Sequence, residues 1–289
     1  MQKIFIFPNF KKAKVHSVLR QLLDFFKERK IQVILPDICA GTYGTLAFSK
    51  EKNLGFPSLK FAISLGGDGT ILNLIKEMAP FNIPICGINM GQVGFLADLQ
   101  PTALESALTK IINNEYKIEK RKMLKVQVME NGQELYSAHA LNDIVLTRNH
   151  NSQMLRIFVE FSDHTSIKYP VDGLIFSTPT GSTAYSLSAG GPIIHPSLDA
   201  TLITPICAYA MYTKPLVTNT NEIIMVKFAP NSGTGIITAD GMTIGNIQQN
   251  YMLKISPSEH PANFIRISEP NYYPTWQERL RRGEESTNF

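Results

Sequence analysis

The chain has 289 residues, of which 44% are hydrophobic and 18% charged, and 28 basic against 24 acidic side chains give a formal charge of +4. That length exceeds one ordinary hydrophobic core and predicts two domains, while the composition excludes disordered and fibrous classes. The small positive charge is spread along the chain, which suits an anionic small ligand such as a nucleotide and falls short of a nucleic-acid footprint.

Cys39, Cys86 and Cys207 are far apart, lack Cys-x-x-Cys spacing and each sits among apolar neighbours, so buried free thiols in a reducing cytoplasm are expected. Ile4-Phe5-Ile6-Phe7 before Pro8 is too short for a signal-peptide core. No run approaches the ~18 apolar residues of a membrane span. A cytoplasmic protein with no membrane partner is the expectation.

In chain order, Ile4–Phe7 reads as a buried strand, Val15, Val18, Leu19, Leu22, Leu23 and Phe26 recur at helical spacing, and Ile31–Leu35 is a second strand. A second βαβ unit runs from the strand Phe61–Leu65, through a glycine loop, to Ile71, Leu74, Ile75 and Met78 at helical spacing, and ends on the strand Ile83–Ile88. Pro101-Thr102 opens a further helix, with Thr102 and Glu105 spaced as a capping box and Leu104, Leu108, Ile111 and Ile112 on its apolar face.

From about Lys117 short strands take over: Val126–Val128, a turn at Asn131-Gly132, strict alternation of Leu155, Ile157, Val159 and Phe161, then Leu174–Phe176, Ile223–Phe228, Ile236–Ala239 and Leu253–Ile255. The fold class is therefore an N-terminal α/β domain with a parallel sheet, followed by a predominantly β domain. The charged stretch from Glu278 to Arg282 reads as a solvated helix end.

Gly66-Gly67-Asp68-Gly69-Thr70 lies where a strand meets a helix. Consecutive glycines there let backbone N–H groups converge on an anion at the positive end of the helix dipole. The plain alternative is a tight turn using glycine for its positive φ. A turn, however, has no need of an acid, and a carboxylate beside phosphates takes a hydroxyl proton or holds a metal ion. Spacing leaves both jobs open for Asp68. Neither GxxxxGK[ST] nor GxGxxG occurs, so no P-loop or standard dinucleotide fingerprint explains the loop.

The second dense stretch, Ser177-Thr178-Pro179-Thr180-Gly181-Ser182-Thr183-Ala184-Tyr185-Ser186-Leu187-Ser188-Ala189-Gly190-Gly191-Pro192, follows a strand and gathers seven serine and threonine hydroxyls among small residues. That composition suits close approach to a polyhydroxylated ligand and equally a polar loop. His16, His139, His150, His164, His195 and His260 show no metal-ligand spacing, and no GxSxG is present.

Gly66–Thr70, Gly87-Ile88-Asn89-Met90-Gly91-Gln92-Val93-Gly94-Phe95-Leu96, Asn142-Asp143, Asp172-Gly173 and the hydroxyl-rich stretch together resemble the NAD kinase family, in its order and spacing, from about Phe61 to Gly241. The long motif is highly specific; the glycine loop alone is shared with lipid kinases and resembles that of phosphofructokinase.

The resemblance implies an α/β domain over 1–100 joined by the tail 271–289, a β-sandwich-like NAD-binding domain over 101–270, and an active site between them. It further implies transfer of the terminal phosphoryl of ATP, or of polyphosphate, to the 2′-hydroxyl of the NAD adenosine ribose, with a divalent cation, Mg²⁺, bridging phosphates, in a homodimer or homotetramer. By matching position, Asp68 would act on that hydroxyl, as proton acceptor or through the metal. Gly66, Gly67 and Gly69 would approach the phosphates, Thr70 and Asn89 would belong to the substrate- and cofactor-binding set, Asn142 and Asp143 would bind ribose hydroxyls, and Asp172 would contact the base or ribose. Thr183, Ala184, Tyr185, Ser186, Leu187 and Ser188 would line the dinucleotide pocket, with the Tyr185 ring and Phe95 available for packing against a flat group. Members often carry Glu where Asp143 stands. Many bacterial members have Arg where Pro170 stands, a Pro-His pair where Ala208-Tyr209 stands, and Arg where Lys214 stands; these departures bear on substrate preference, since lysine does not reproduce a bidentate arginine. The rivals are a lipid or sugar kinase sharing only the glycine loop, and a catalytically silent NAD(P)-binding regulator.

Overall fold

The computed structural model describes residues 2–48, 59–91, 94–97, 99–150, 152–211, 213–269 and 271–285, the side chains of 279, 280 and 282–285 excepted. The chain runs β1 (Lys3–Pro8), α1 (Val15–Glu28), β2 (Gln32–Pro36), α2 (Asp37–Tyr43), β3 (Leu46–Phe48), β4 (Leu59–Gly66), α3 (Asp68–Met78), β5 (Ile85–Asn89), α4 (Leu104–Ile112) and β6 (Lys117–Arg121). It continues through β7 (Leu124–Glu130), β8 (Gln133–Ala140), β9 (Asp143–Arg148), β10 (Leu155–Glu160), β11 (Ser166–Val171), β12 (Gly173–Ser177), α5 (Tyr185–Ser188), β13 (Ala200–Ile206), β14 (Leu216–Asn219), β15 (Ile224–Phe228), β16 (Gly235–Ala239), β17 (Met242–Ile247) and β18 (Tyr251–Pro257), and ends on β19 (Ala262–Arg266) and α6 (Tyr272–Glu285). Two compact units result, one of residues 1–120 and 262–289, the other of residues 121–261.

The first unit is built on a seven-stranded sheet in the order β3-β2-β1-β4-β5-β19-β6. The pairs β1–β2, β1–β4, β4–β5 and β5–β19 are parallel. Strands covered on both faces need continuous apolar runs, and β1, β4 and β5 are buried almost throughout. Val15, Val18, Leu19, Leu22 and Phe26 of α1 join Ile4, Ile6, Ile63, Leu65 and Ile88 in one core.

That core also takes in Leu104, Leu108 and Ile111 of α4, which puts the helix in the first unit; the division falls at residue 120 rather than at the expected 100. The return to this unit begins at Ala262, before the expected 271, because β19 inserts beside β5. The expected capping box is absent: a 3-10 turn over Pro101–Ala103 precedes α4, whose N-cap is Ala103 with no side-chain cap bond. Glu278 and Arg281 of the charged tail are exposed on α6, and the side chains of 279, 280 and 282 lie outside the described residues.

The second unit stacks two antiparallel six-stranded sheets, β11-β10-β15-β18-β7-β8 and β14-β13-β12-β9-β16-β17. Val126, Val128, Leu155, Ile157 and Val159 from the first sheet pack against Ile144, Leu146, Leu174, Phe176 and Ile237 from the second. Period-two alternation follows directly: β10 buries Leu155, Ile157 and Val159 and half-exposes the residues between. Asn131 and Gly132 both take positive φ, 51° and 81°, which a two-residue hairpin turn between β7 and β8 requires.

Cys39 and Cys86 are buried free thiols, and Cys207 is exposed, contrary to expectation. It follows the last residue of β13 with a φ of 47°, leaving the strand path that would have carried it inward.

Candidate active site

In the first unit, Asp68 is the first residue of α3 and Gly67 its N-cap. The first-turn N–H groups of a helix have no intrahelical acceptor, and the dipole favours negative charge there. None of Gly66, Gly67 or Gly69 has a positive φ, so the loop does not use glycine to reach the left-handed region. Space is the reason instead. A β-carbon on Gly66 would overlap the Thr70 hydroxyl, and nothing lies within 4 Å of one on Gly67 or Gly69. The backbone of Gly67 and Gly69 is therefore open to a ligand.

The Asp68 carboxylate is held from the segment after β5: Phe95 N–H donates to Oδ2 at 2.9 Å and Leu96 N–H to Oδ1 at 3.3 Å. Gly94 is tight against it, since a β-carbon there would overlap Oδ1. Gln92 and Val93 lie outside the described residues. Thr70 is buried and its Oγ1 accepts from Asn9 Nδ2 at 3.1 Å. Asn89 is buried too, and its Oδ1 accepts from Gly91 N–H at 3.0 Å. Both shape the loop from beneath. Lys12, exposed, brings its Nζ to 3.8 Å from the β-carbon position of Gly91, and nothing in a short basic run marks which lysine lies there.

In the second unit a cavity of about 370 Å³ opens on the face of the β9–β16 pair away from the core, lined by Asn142, Asp143, Val145, Tyr185, Thr238 and Asp240 among others. Alternation explains the split: Ile144 and Leu146 enter the core, and Val145, paired with Thr238, faces the cavity. Asp143 is 5% exposed. Burial above all, and then the Asp240 carboxylate, push its carboxyl up to about 7, against the Tyr185 N–H that favours the charged form.

Asp240 organises this site and was missed. Its Oδ2 accepts from Leu141 N–H at 2.9 Å, and its Oδ1 from Asn142 N–H at 2.7 Å and Asp143 N–H at 3.2 Å. Asp240 and Gly241, at φ of 48° and 75°, form the two-residue turn between β16 and β17. The signal was present, an Asp-Gly pair between two strand-like runs.

Most hydroxyls of the Ser177–Ser188 stretch are spent internally. Thr178 Oγ1 donates to Leu141 O at 2.6 Å, Ser177 Oγ to Asn142 O at 3.1 Å, Ser182 Oγ to Pro179 O at 2.7 Å and Thr183 Oγ1 to Thr180 O at 3.2 Å. Ser186, fully buried, pairs with Thr204 at 2.8 Å. Of the six residues Thr183–Ser188, Ala184 and Tyr185 line the cavity; Ser186 faces inward, and Thr183, Leu187 and Ser188 are not part of its wall. Gly181 sits so close to the Asn142 backbone that any β-carbon would overlap it. The stretch thus buttresses Asn142 and Asp143 more than it lines a pocket.

Asp172 is elsewhere. Its Oδ1 accepts from Arg148 Nε at 2.7 Å, both side chains being about two-fifths exposed. Arg148 ends β9 and Asp143 begins it, a separation of roughly 17 Å at strand rise.

A glycine loop with an acid at a helix start in the first unit, and a cavity lined by Asp143 and Asp240 in the second, are the features the chain brings to a phosphotransferase. Residues 4–116 match the ATP-NAD kinase N-terminal domain and residues 141–267 the ATP-NAD kinase C-terminal domain. The chain is 37% identical to an NAD kinase of Caldanaerobacter subterraneus subsp. tengcongensis over 280 residues, covering 97% of this chain and 99% of the relative. It is 35% identical to one of Moorella thermoacetica over 285 residues, 98% and 90% of the two. The fold resembles yeast NADH kinase complexed with NADH, with a TM-score of 0.84 at 22% identity over 97% and 87% of the chains. It also resembles an NAD kinase from Archaeoglobus fulgidus in complex with ATP, with a TM-score of 0.72 at 24% identity over 97% and 99%. The chain belongs to the NAD kinase family.

Proposed function

We propose that this enzyme transfers the terminal phosphoryl of ATP to the 2′-hydroxyl of the NAD adenosine ribose, giving NADP and ADP, and that Asp68 is the residue acting on that hydroxyl. The observation that carries this reading is the setting of Asp68: a carboxylate at the start of α3, held by the Phe95 and Leu96 N–H groups beside glycines whose backbone is open.

In this reading Asp68 accepts the hydroxyl proton as the oxygen attacks the terminal phosphorus, and the N–H groups of Gly67 and Gly69 and the Lys12 ammonium face the negative charge of the donor. Asn142 and Asp143 bind the ribose hydroxyls, and the half-exposed Tyr185 ring packs against a flat group. Positioning and charge stabilisation account for the rate, since phosphoryl transfer asks little covalent chemistry of a protein.

Among the described residues no group of three or more His, Cys, Asp or Glu could hold a metal ion. A divalent cation of the Mg²⁺ type still fits, because it is commonly held by one or two carboxylates with phosphates and water, and Asp68 is the acid this loop offers. When bound, the cation neutralises charge on the transferring phosphoryl.

Incubating the protein with NAD, Mg²⁺ and either ATP or polyphosphate, with diacylglycerol and fructose 6-phosphate as competing acceptors, tests the proposal. NADP should form with ATP and neither competitor should be phosphorylated. Tight NADP binding with no turnover on any donor would favour a silent regulator.

A further inference from the structure

We infer that Arg266 is a positioning residue for Asp68, acting through the main chain of Leu96 and held in place by Glu119 and Tyr272; the inference rests on Asp68 being the reacting carboxylate. Arg266 is the last residue of β19 and 4% exposed. Its Nε donates to Glu119 Oε2 at 2.6 Å and its Nη1 to the Leu96 carbonyl at 3.1 Å. The other Glu119 oxygen accepts from the Tyr272 hydroxyl at the start of α6, and the Phe264 ring lies 5.0 Å from the guanidinium carbon.

Stability alone does not call for this arrangement. An ion pair this buried is often no better than apolar residues of similar volume, while breaking one partner away is costly. The geometry supplies another reason. Leu96 is touched on both sides: its N–H donates to Asp68 Oδ1 and its carbonyl accepts from Arg266. Phe95, one residue earlier, supplies the donor to Oδ2. Fixing the Leu96 carbonyl therefore fixes the orientation of the two peptide N–H groups that hold the carboxylate. The planar fork of arginine sends donors in two directions at once, which a single ammonium does not reproduce with the same geometry. Glu119 and Tyr272 orient that fork, so residues on β6 and α6 bear on Asp68 without touching substrate.

The test measures kcat, KM for NAD and KM for ATP on Arg266→Lys, Tyr272→Phe and the paired Arg266→Met/Glu119→Met, which removes both charges of the pair together. Each is made in wild type and in Asp68→Asn, with folding checked by circular dichroism and thermal melting. Arg266→Lys should lower kcat about tenfold to a hundredfold, the scale of a misplaced reacting group, with KM for NAD unchanged. Tyr272→Phe should fall in the same direction by a smaller factor. In Asp68→Asn, Arg266→Lys should cost nothing further in residual turnover, which a merely structural loss would not reproduce. Folded Arg266 variants with wild-type kcat, or a loss of equal size in both backgrounds, would overturn the positioning role while leaving Asp68 in place. Wild-type turnover by Asp68→Asn itself would instead remove the reading beneath it.

Discussion

The carboxylate of Asp68 occupies the place a β-carbon on Gly94 would take, with Oδ1 overlapping that position and Cγ 3.0 Å from it. Glycine is needed at 94 for this approach and not for its φ, which is not among the positive ones. Gly94→Ala should displace the carboxylate and lower kcat by about a hundredfold, while melting changes little. Unchanged kcat in this variant would show that Asp68 tolerates displacement.

Asp240 satisfies three consecutive N–H groups, those of Leu141, Asn142 and Asp143. Asp240→Asn keeps the turn, since asparagine tolerates positive φ, but turns an amide donor toward donors. A destabilisation of about 1–3 kcal/mol is expected from the unpaired groups, with a raised KM for NAD. Denaturant unfolding and NAD titration check the two together.

Asp143 is raised to about 7 by burial and by Asp240. The folded chain then binds this proton more tightly than the unfolded chain, so the associated stability is fully present below the unfolded pKa, about pH 4, and is lost as pH climbs through the folded value. Asp143→Asn carries no such loss. Without nucleotide, its stability relative to wild type should grow between pH 5 and pH 8, by roughly 2–3 kcal/mol. Melting curves across that range would refute this if the difference stayed flat.

The Lys12 ammonium lies 3.8 Å from the β-carbon position of Gly91, in the segment after β5. Lys12→Met should raise KM for ATP about tenfold, the worth of a charge-assisted contact, and leave KM for NAD alone. Equal effects on both substrates would assign Lys12 to something other than the donor.

The two units were legible in the sequence because their periods differ: 3.6-residue recurrence between buried runs in the first, period-two alternation such as Leu155, Ile157 and Val159 in the second. Short elements were not. The seven-residue α2 and the three-residue β3 carry too few positions for a period to emerge. Asp68, Asn142 and Asp143 were singled out because acids and amides beside glycines or strand starts have few structural excuses. Arg266 escaped because its partner, the Leu96 carbonyl, is backbone and lies 170 residues away in sequence, and Glu119 because its partners Arg266 and Tyr272 are 147 and 153 residues away. The composition of the hydroxyl-rich stretch marks a polar, closely packed segment, and composition does not separate hydroxyls facing a cavity from those, like Ser186, that hold the chain together.

The central claim is that Asp68 acts on the acceptor hydroxyl, and NADP formation by Asp68→Asn tests it most directly, with NAD binding measured on the same preparation. Turnover should fall at least about a hundredfold, with NAD affinity and melting temperature close to wild type. Turnover near that of the wild-type chain would contradict the account.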